Sequence, residues 1–347
     1  MKRFFCRCGQ ELFFESHHCA HCGRLTGFDP LTLEMVSLQG DGHVPETVGG
    51  RQLRYCGNKL RFDVCNWLTE ADHPSGFCLA CHCNRFIPNL RKPVNRKRWR
   101  ALEQAKKRLA YSLLMLGLGL VSKWDDPDRG LWFDFLEDKR SDEEVAEGFV
   151  ATGHAGGVIT INVLEADDPC REAMRESLNE PYRTLLGHFR HESGHYYWRS
   201  LIGEVPARIE AFRALFGDER RPYDAALHRY YVQGPQLDWG TRFVSAYASA
   251  HPLEDWAESW SHYLHMIDTL ETARAYGLTP PEARDAPFEQ RAAHWMSLTL
   301  ALNALNRSMG LPDAYPFALS RTVRDKLAFI DTLLRGRNEP QRLSRTA

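Results

Sequence analysis

Apolar residues recur at helical spacing along most of the chain, and a single stretch is dominated by β-branched residues instead. Trp99, Leu102, Leu109 and Leu113 fall on one helical face, with Asn95 placed to cap its start. A second helix is expected from Asn179, with Pro181 in its first turn, through to about Gly203. Pro252 opens a third across HPLEDWAESWSHYLHMIDTLETARAYG, and two more are expected over residues 287–309 and 319–334. GGVITINVLEA (156–166) reads as a strand, and FVATGHA (149–155) either leads into it or pairs with it. The ending GRNEPQRLSRTA is polar, as a frayed tail would be. The expected class is α+β and mainly helical, with no internal repeat.

Cysteine placement divides this pattern. Nine of the ten cysteines lie between Cys6 and Cys83. Cys6 and Cys8 form C-x-C-G, and Cys19 and Cys22 form C-x-x-C-G; two such pairs supply four thiolates to a tetrahedral zinc. Glycine after each pair lets the backbone bend so that its amides face the sulfurs. Cys56, Cys65, Cys78 and Cys81 make a looser second set, read either as another zinc site or as buried inert thiols, with Cys83 left over. His17, His18, His21 and His82 stand near enough to replace a sulfur. A four-cysteine site has no open position, so these ions are expected to fold a small module rather than catalyse. The expected division is a cysteine-rich module over 1–94, a second domain over 95–335 and a tail over 336–347.

The chain has 347 residues, 43% of them hydrophobic, enough for more than one core. Its net charge of -1 argues against a general affinity for nucleic acid or anionic membrane. The start, MKRFFCRCGQ, lacks the apolar run of a signal peptide, and LLMLGLGLV (113–121) is about half a bilayer span. A soluble, cytoplasmic protein is expected. RFIPNLRKPVNRKRWR (85–100) is basic, read either as a polyanion-binding linker or as a solvated hinge entering a helix.

The chemistry concentrates in LLGHFRHESGHYYW. His191 and His195 stand four apart, so on a helix both imidazoles reach one zinc, and Glu192 projects beside it as a base for its water. A catalytic zinc needs a third protein ligand and an open position. Glu254 and Glu258, one turn apart on the later helix, supply the ligand and a carboxylate that holds a ligand imidazole by its far N–H. The exchanged assignment puts Glu258 on the metal. Asp255, His262 and His265 are weaker candidates. Two neutral imidazoles and one carboxylate leave a net positive site, which acidifies water toward a pKa of ~7. The oxyanion then needs a further donor, a contribution of roughly 2.7–4 kcal/mol. Tyr247 is either that donor or a core tyrosine.

His191-Glu192-x-Gly194-His195, followed by Glu254-x-x-x-Glu258 with Tyr247 upstream, resembles the catalytic core of gluzincin metallopeptidases, most closely the lethal-factor-like branch. With the C-x-C-G and C-x-x-C-G start, the C-N-W at Cys65 and the blocks EPYRTLLGHFRHESGHYYW and HPLEDWAESWSHYLH, nearly the whole chain resembles the bacterial zinc-ribbon-containing putative zinc-binding metallopeptidases. That resemblance implies a zincin-like fold and proteolysis of a protein or peptide substrate. In zincins an edge strand beside the active-site helix pairs with extended substrate, a role open to GGVITIN, as is that of an internal strand. Gly156 and Gly157 would leave room there for a second backbone. Tyr196, Tyr197 and Trp198 read mostly as packing around the helix. A regulatory peptidase with one partner, and a non-catalytic zinc-stabilised adaptor, are the other functions open to this sequence.

Overall fold

The computed structural model describes residues 1–177, 183–280 and 286–336. Asn179 and Pro181, the expected helix opening, lie outside the described residues, as does nearly all of the polar ending. The chain packs into two compact units, Lys2–Phe189 and, together with Met1, Arg190–Ala347.

The first unit opens with short antiparallel strands. β1 (Phe4–Phe5) pairs with β2 (Glu11–Leu12), β3 (Thr26–Asp29) with β4 (Glu34–Ser37), and β5 (Glu46–Val48), β6 (Arg51–Tyr55) and β7 (Leu68–Glu70) form one small sheet. Sheets this small bury little by themselves. Their core is aromatic: Phe4, Phe14, Phe28, Trp67 and Tyr111 meet largely edge to face, the favoured arrangement of ring quadrupoles. Of the second cysteine set, Cys56 and Cys78 precede helices α1 (Gly57–Phe62) and α2 (Leu79–His82), Cys81 lies within α2 and Cys65 follows α1.

β8 (Asn84–Phe86) then runs parallel to β9 (Trp132–Leu136), and β9 parallel to β11 (Val158–Asn162), with β10 (Gly153–Ala155) antiparallel on the edge. GGVITIN is therefore an interior strand and the edge belongs to β10, which corrects the edge-strand expectation. Gly156 and Gly157 do not leave an open groove. They form the two-residue turn between β10 and β11 with φ of +56 and +79, the left-handed pair such hairpins require. A Cβ on Gly157 would lie 2.7 Å from the Gly130 carbonyl oxygen. β9 is a second exception to the helical pattern; its alternating Phe133 and Phe135 side chains are buried against Phe189.

Helix α3 (Pro93–Met115) begins at Pro93, whose fixed φ suits the first turn. Asn95 is not its cap. It is buried inside the helix, and its Nδ2 donates to the Asn89 carbonyl at 2.9 Å and to Glu137 at 2.7 Å. Trp99, Leu102, Leu109 and Leu113 form the expected buried stripe. Behind it, fully buried Glu103 accepts from Trp99, Asn84 and Lys106 at 2.7–3.1 Å, with Lys107 at 3.6 Å. Glu103→Ala strands two buried ammonium groups without their carboxylate, and is expected to lower the unfolding free energy of the zinc-loaded protein by about 3–5 kcal/mol. Urea denaturation followed by tryptophan fluorescence reads that loss; an unchanged midpoint counts against the role of Glu103. The basic stretch 85–100 is largely paired: Arg85 with Asp134, Lys92 with Asp142, Arg98 with Asp167 and Arg100 with Asp63.

α4 (Asp168–Ser177) and the start of α5 (Leu185–Trp198) complete the first unit. The second is helical: α6 (Pro206–Phe216), α7 (Tyr223–Gln233), α8 (Trp239–Arg242), α9 (Pro252–Ala275), α10 (Phe288–Ser308) and α11 (Arg321–Arg335). The last three stand where the apolar periodicity puts them. Pro252 occupies the first turn of α9, and Ser320 Oγ accepts the Val323 N–H to cap α11. Among the described residues no helix is long and apolar enough to cross a membrane.

Candidate metal centres

In the first unit, Cys6, Cys8, Cys19 and Cys22 converge, as do Cys56, Cys65, Cys78 and Cys81, the sulfurs of each set lying within 4.8 Å of one another. Closest sulfur separations are 3.6 Å in the first set and 3.7 Å in the second. A tetrahedron with zinc–sulfur bonds of ~2.3 Å has edges of about 3.8 Å, so both sets fit that ion. Gly9 and Gly23 take φ of +88 and +73, and their N–H groups return to the Cys6 and Cys19 carbonyls at 2.9 Å. This is the bend expected after each cysteine pair. The second set is wholly buried and adjoins the Lys107 ammonium, which offsets thiolate charge. Cys83 stands apart, with burial pushing its thiol up to about 12. His17 does not join the sulfurs: its Nδ1 meets Lys59 Nζ at 3.0 Å.

The third group lies in the second unit. His191 Nε2 is 3.1 Å from Glu254 Oε2 and 3.2 Å from His195 Nε2, and His195 Nε2 is 3.3 Å from Glu254 Oε1. Bonds of ~2.0–2.1 Å in tetrahedral arrangement place ligand atoms about 3.3 Å apart, so these three donors also fit a zinc with a position to spare. Glu258 Oε1 lies 2.7 Å from His191 Nδ1, and its other oxygen accepts from Ser245 Oγ at 2.6 Å. That contact keeps a proton on Nδ1 and leaves the Nε2 lone pair facing the cluster. Of the two glutamates, Glu254 stands with the imidazole Nε2 atoms and Glu258 behind one of them.

The approach of α5 to α9 has an identifiable cause. A Cβ at Gly194 would come within 3.0 Å of both the Ala257 Cα and Trp260 Cδ1. Glycine lets the helices touch there, and Trp256 Nε1 donates to the Gly194 carbonyl at 2.8 Å while Trp260 Nε1 donates to Ser193 Oγ at 3.0 Å. These two tryptophans fix the register that brings residue 254 opposite 191.

Glu192 is buried, and desolvation pushes its carboxyl above the usual range. Glu254 moves the other way: burial opposes its charge, yet the two imidazoles hold it well below the usual carboxylate range. The Tyr247 ring lies 6.0 Å from the His191 ring, and burial together with the Glu254 charge pushes its phenol up. Two residues escape the sequence pattern. Tyr223 Oη donates to Glu254 Oε1 at 2.5 Å, and Ser245 braces Glu258. Neither belongs to a spaced motif, and only the fold brings them in.

The weaker candidates are engaged elsewhere. Asp255 is paired with Lys326 at 2.6 Å, His262 Nδ1 lies 2.7 Å from Tyr315 Oη, and the His265 ring packs on Trp295 and Tyr315. His188 approaches Glu165 at 3.5 Å instead of the cluster. Tyr197 stacks on Trp260 and Trp198 meets Phe212 edge-on, so both pack as expected. Burial drops His262 to about 4, so it stays neutral in the folded chain while the unfolded chain protonates near 6.5. Its contribution is therefore complete above pH ~6.5 and is lost as the pH falls toward 4, about 3 kcal/mol in all. Denaturation midpoints should fall less steeply over that window in His262→Gln than in the unaltered chain; parallel curves would refute this.

Residues 95–333 match the family model described as "Putative zinc-binding metallo-peptidase". The chain belongs to that family. Residues 3–92 match a zinc-ribbon domain, so the family's peptidase region here follows a ribbon module. Proteins of Mycobacterium bovis and of Mycobacterium tuberculosis H37Rv, both named only as uncharacterized, are each 40% identical to this family member over 342 residues, 96% of this chain and 95% of theirs. No solved structure matches it.

Proposed function

We propose that this protein is a zinc-dependent endopeptidase of the cytoplasm, hydrolysing a protein substrate that the ribbon module recruits. The observation that carries the reading is the meeting of His191, His195 and Glu254 with Glu192 buried at the next position of the same helix. His191, His195 and Glu254 would hold the ion, Glu254 as the third ligand in preference to Glu258. Zinc held there supplies Lewis acidity toward water and a peptide carbonyl. The rest falls to the chain's own groups. Glu192 takes a proton on its carboxylate oxygen and passes it toward the leaving amine, work to which its raised pKa suits it. Glu258, held by Ser245, keeps His191 in one tautomer and one orientation. Tyr247, kept protonated, is the phenol donor for negative charge developing on the substrate oxygen, while Tyr223 spends its proton on Glu254 Oε1.

A polyanion-binding adaptor gains little from the basic stretch, since Arg85, Lys92, Arg98 and Arg100 already face carboxylates. The ribbon sets supply structural zinc in either reading. Glu192→Gln tests the proposal. It should retain the same zinc content by mass spectrometry and the same fold by circular dichroism, while hydrolysis of fluorophore-quenched casein drops by about 10²–10⁴-fold. Equal cleavage by both proteins would overturn it.

A further inference from the structure

We infer that a cavity of about 250 Å³ in the first unit binds a free carboxylate next to an apolar side chain, as at a peptide C-terminus. Arg54, Arg61, Tyr55, Leu60, Ser75 and Phe77 line it, with glycines 57 and 76, and no carboxylate is among the described lining residues. Other arginines of this unit meet acids: Arg51 pairs with Asp29, Arg85 with Asp134 and Arg98 with Asp167. Arg54 does not. Its Nε is sealed from solvent and has no acceptor among the described residues. A guanidinium fork that meets no acid suits a planar carboxylate or a phosphate, and the neighbouring wall decides between them.

The remaining wall sets the rest of the ligand. Tyr55, Leu60 and Phe77 present apolar surface beside the two guanidinium groups, so a bare inorganic anion would leave that wall unused. The volume lies below that of pockets for drug-sized molecules, which limits the occupant to one or two residues of a chain. Gly76, at φ +66, takes the left-handed turn beside the Arg54 guanidinium, where a Cβ would be in ordinary contact with Nη2 at 3.5 Å. Ser75 Oγ accepts the Phe77 N–H at 3.1 Å and so fixes the turn that carries the aromatic wall. The cavity adjoins Cys56 and Cys78 in sequence, so zinc at the second cysteine set would hold both of its rims. Nothing in this inference depends on hydrolysis.

The test uses full-length, zinc-loaded, ¹⁵N-labelled protein carrying Glu192→Gln, so that no peptide is consumed. Arginine Nε–Hε resonances are followed while acetyl-Gly-Ser-Gly-Phe is added with a free carboxyl group, then with the carboxyl amidated, and then with inorganic phosphate in its place. The expected result is a saturable shift of the Arg54 signal by the free acid, with a Kd of about 1 mM or tighter, and none by the amide. Arg54→Lys keeps the charge without the fork and should weaken binding at least ~10-fold, reported by the Arg61 resonance. Arg61→Gln, at an exposed position, should weaken it less. Equal response to acid and amide, no saturation, or saturation by phosphate alone would each overturn the inference.

Discussion

Cys65→Ser is expected to leave the first unit unfolded, whereas Cys83→Ser, two positions beyond the same cluster, should leave it folded and metal-loaded. Cys56, Cys65, Cys78 and Cys81 are each at most 3% exposed, and their sulfurs sit at the edge lengths of a zinc tetrahedron. An ion held this way contributes an apparent ~10–16 kcal/mol to folding, which equals or exceeds the whole stability of an ordinary domain at ~5–15 kcal/mol. The sheets of two and three strands beside it are small, resting on the cluster of Leu38, Leu53, Tyr55 and Leu68 with Leu25, Val36, Val48 and Leu60 packed against it, and on a group of aromatic rings. Removing one sulfur also leaves Lys107, wholly buried, facing a diminished negative charge. Cys83 Sγ lies 3.5 Å from the Leu79 carbonyl and beside the Ser122 side chain, contacts serine can reproduce. The measurement pairs zinc release to a chromophoric chelator with near-ultraviolet circular dichroism, which senses buried Trp67 and Trp99. A Cys65→Ser protein with native dichroism and full zinc content would falsify the structural assignment. The first set should be more forgiving, because Cys8 and Cys22 are exposed and water can take up part of the loss.

What the sequence makes legible here is whatever local geometry repeats. Histidines four apart on α5, glutamates four apart on α9, and cysteine pairs closed by glycine all declare their chemistry by spacing, because helix pitch and the turn after a cysteine pair fix where those side chains point. Apolar periodicity likewise places α9, α10 and α11. The failures share another cause. Asn95 has the composition of a cap, but Pro93 starts the helix earlier, and the asparagine is recruited by Glu137 from forty-two positions away. β11 is interior because β9 pairs with it, and β9 is a five-residue aromatic run flanked by no strand partner within reach of a window. Tyr223 and Ser245 reach the cluster from the α7 start and a loop. Contacts set by tertiary pairing carry no local signature, and the oxygen donors around the candidate site are of that kind.

The second large effect separates the two glutamates of α9. Glu254→Ala removes one of three donors whose mutual distances are 3.1–3.3 Å, leaving two imidazoles and a neighbouring Tyr223 hydroxyl without its acceptor. Two nitrogen donors on one helix make a poor site, so zinc in the second unit should be lost on dialysis against a mild chelator. Activity should then fall further than in Glu192→Gln, since base, ion and any positioned donors all lose their purpose together. Glu258→Gln is different. Its amide can still meet Ser245 but no longer accepts as a carboxylate from His191 Nδ1, so the expected outcome is zinc affinity lowered by about 10–100-fold with the ion still bound at saturating zinc. Activity at saturating zinc should largely return in Glu258→Gln and stay absent in Glu254→Ala. Zinc titration with a competing chelator, run alongside casein hydrolysis, distinguishes the two on one protein preparation each. The reverse outcome, with Glu254→Ala rescued by added zinc and Glu258→Gln not, would put Glu258 on the metal and Glu254 behind it.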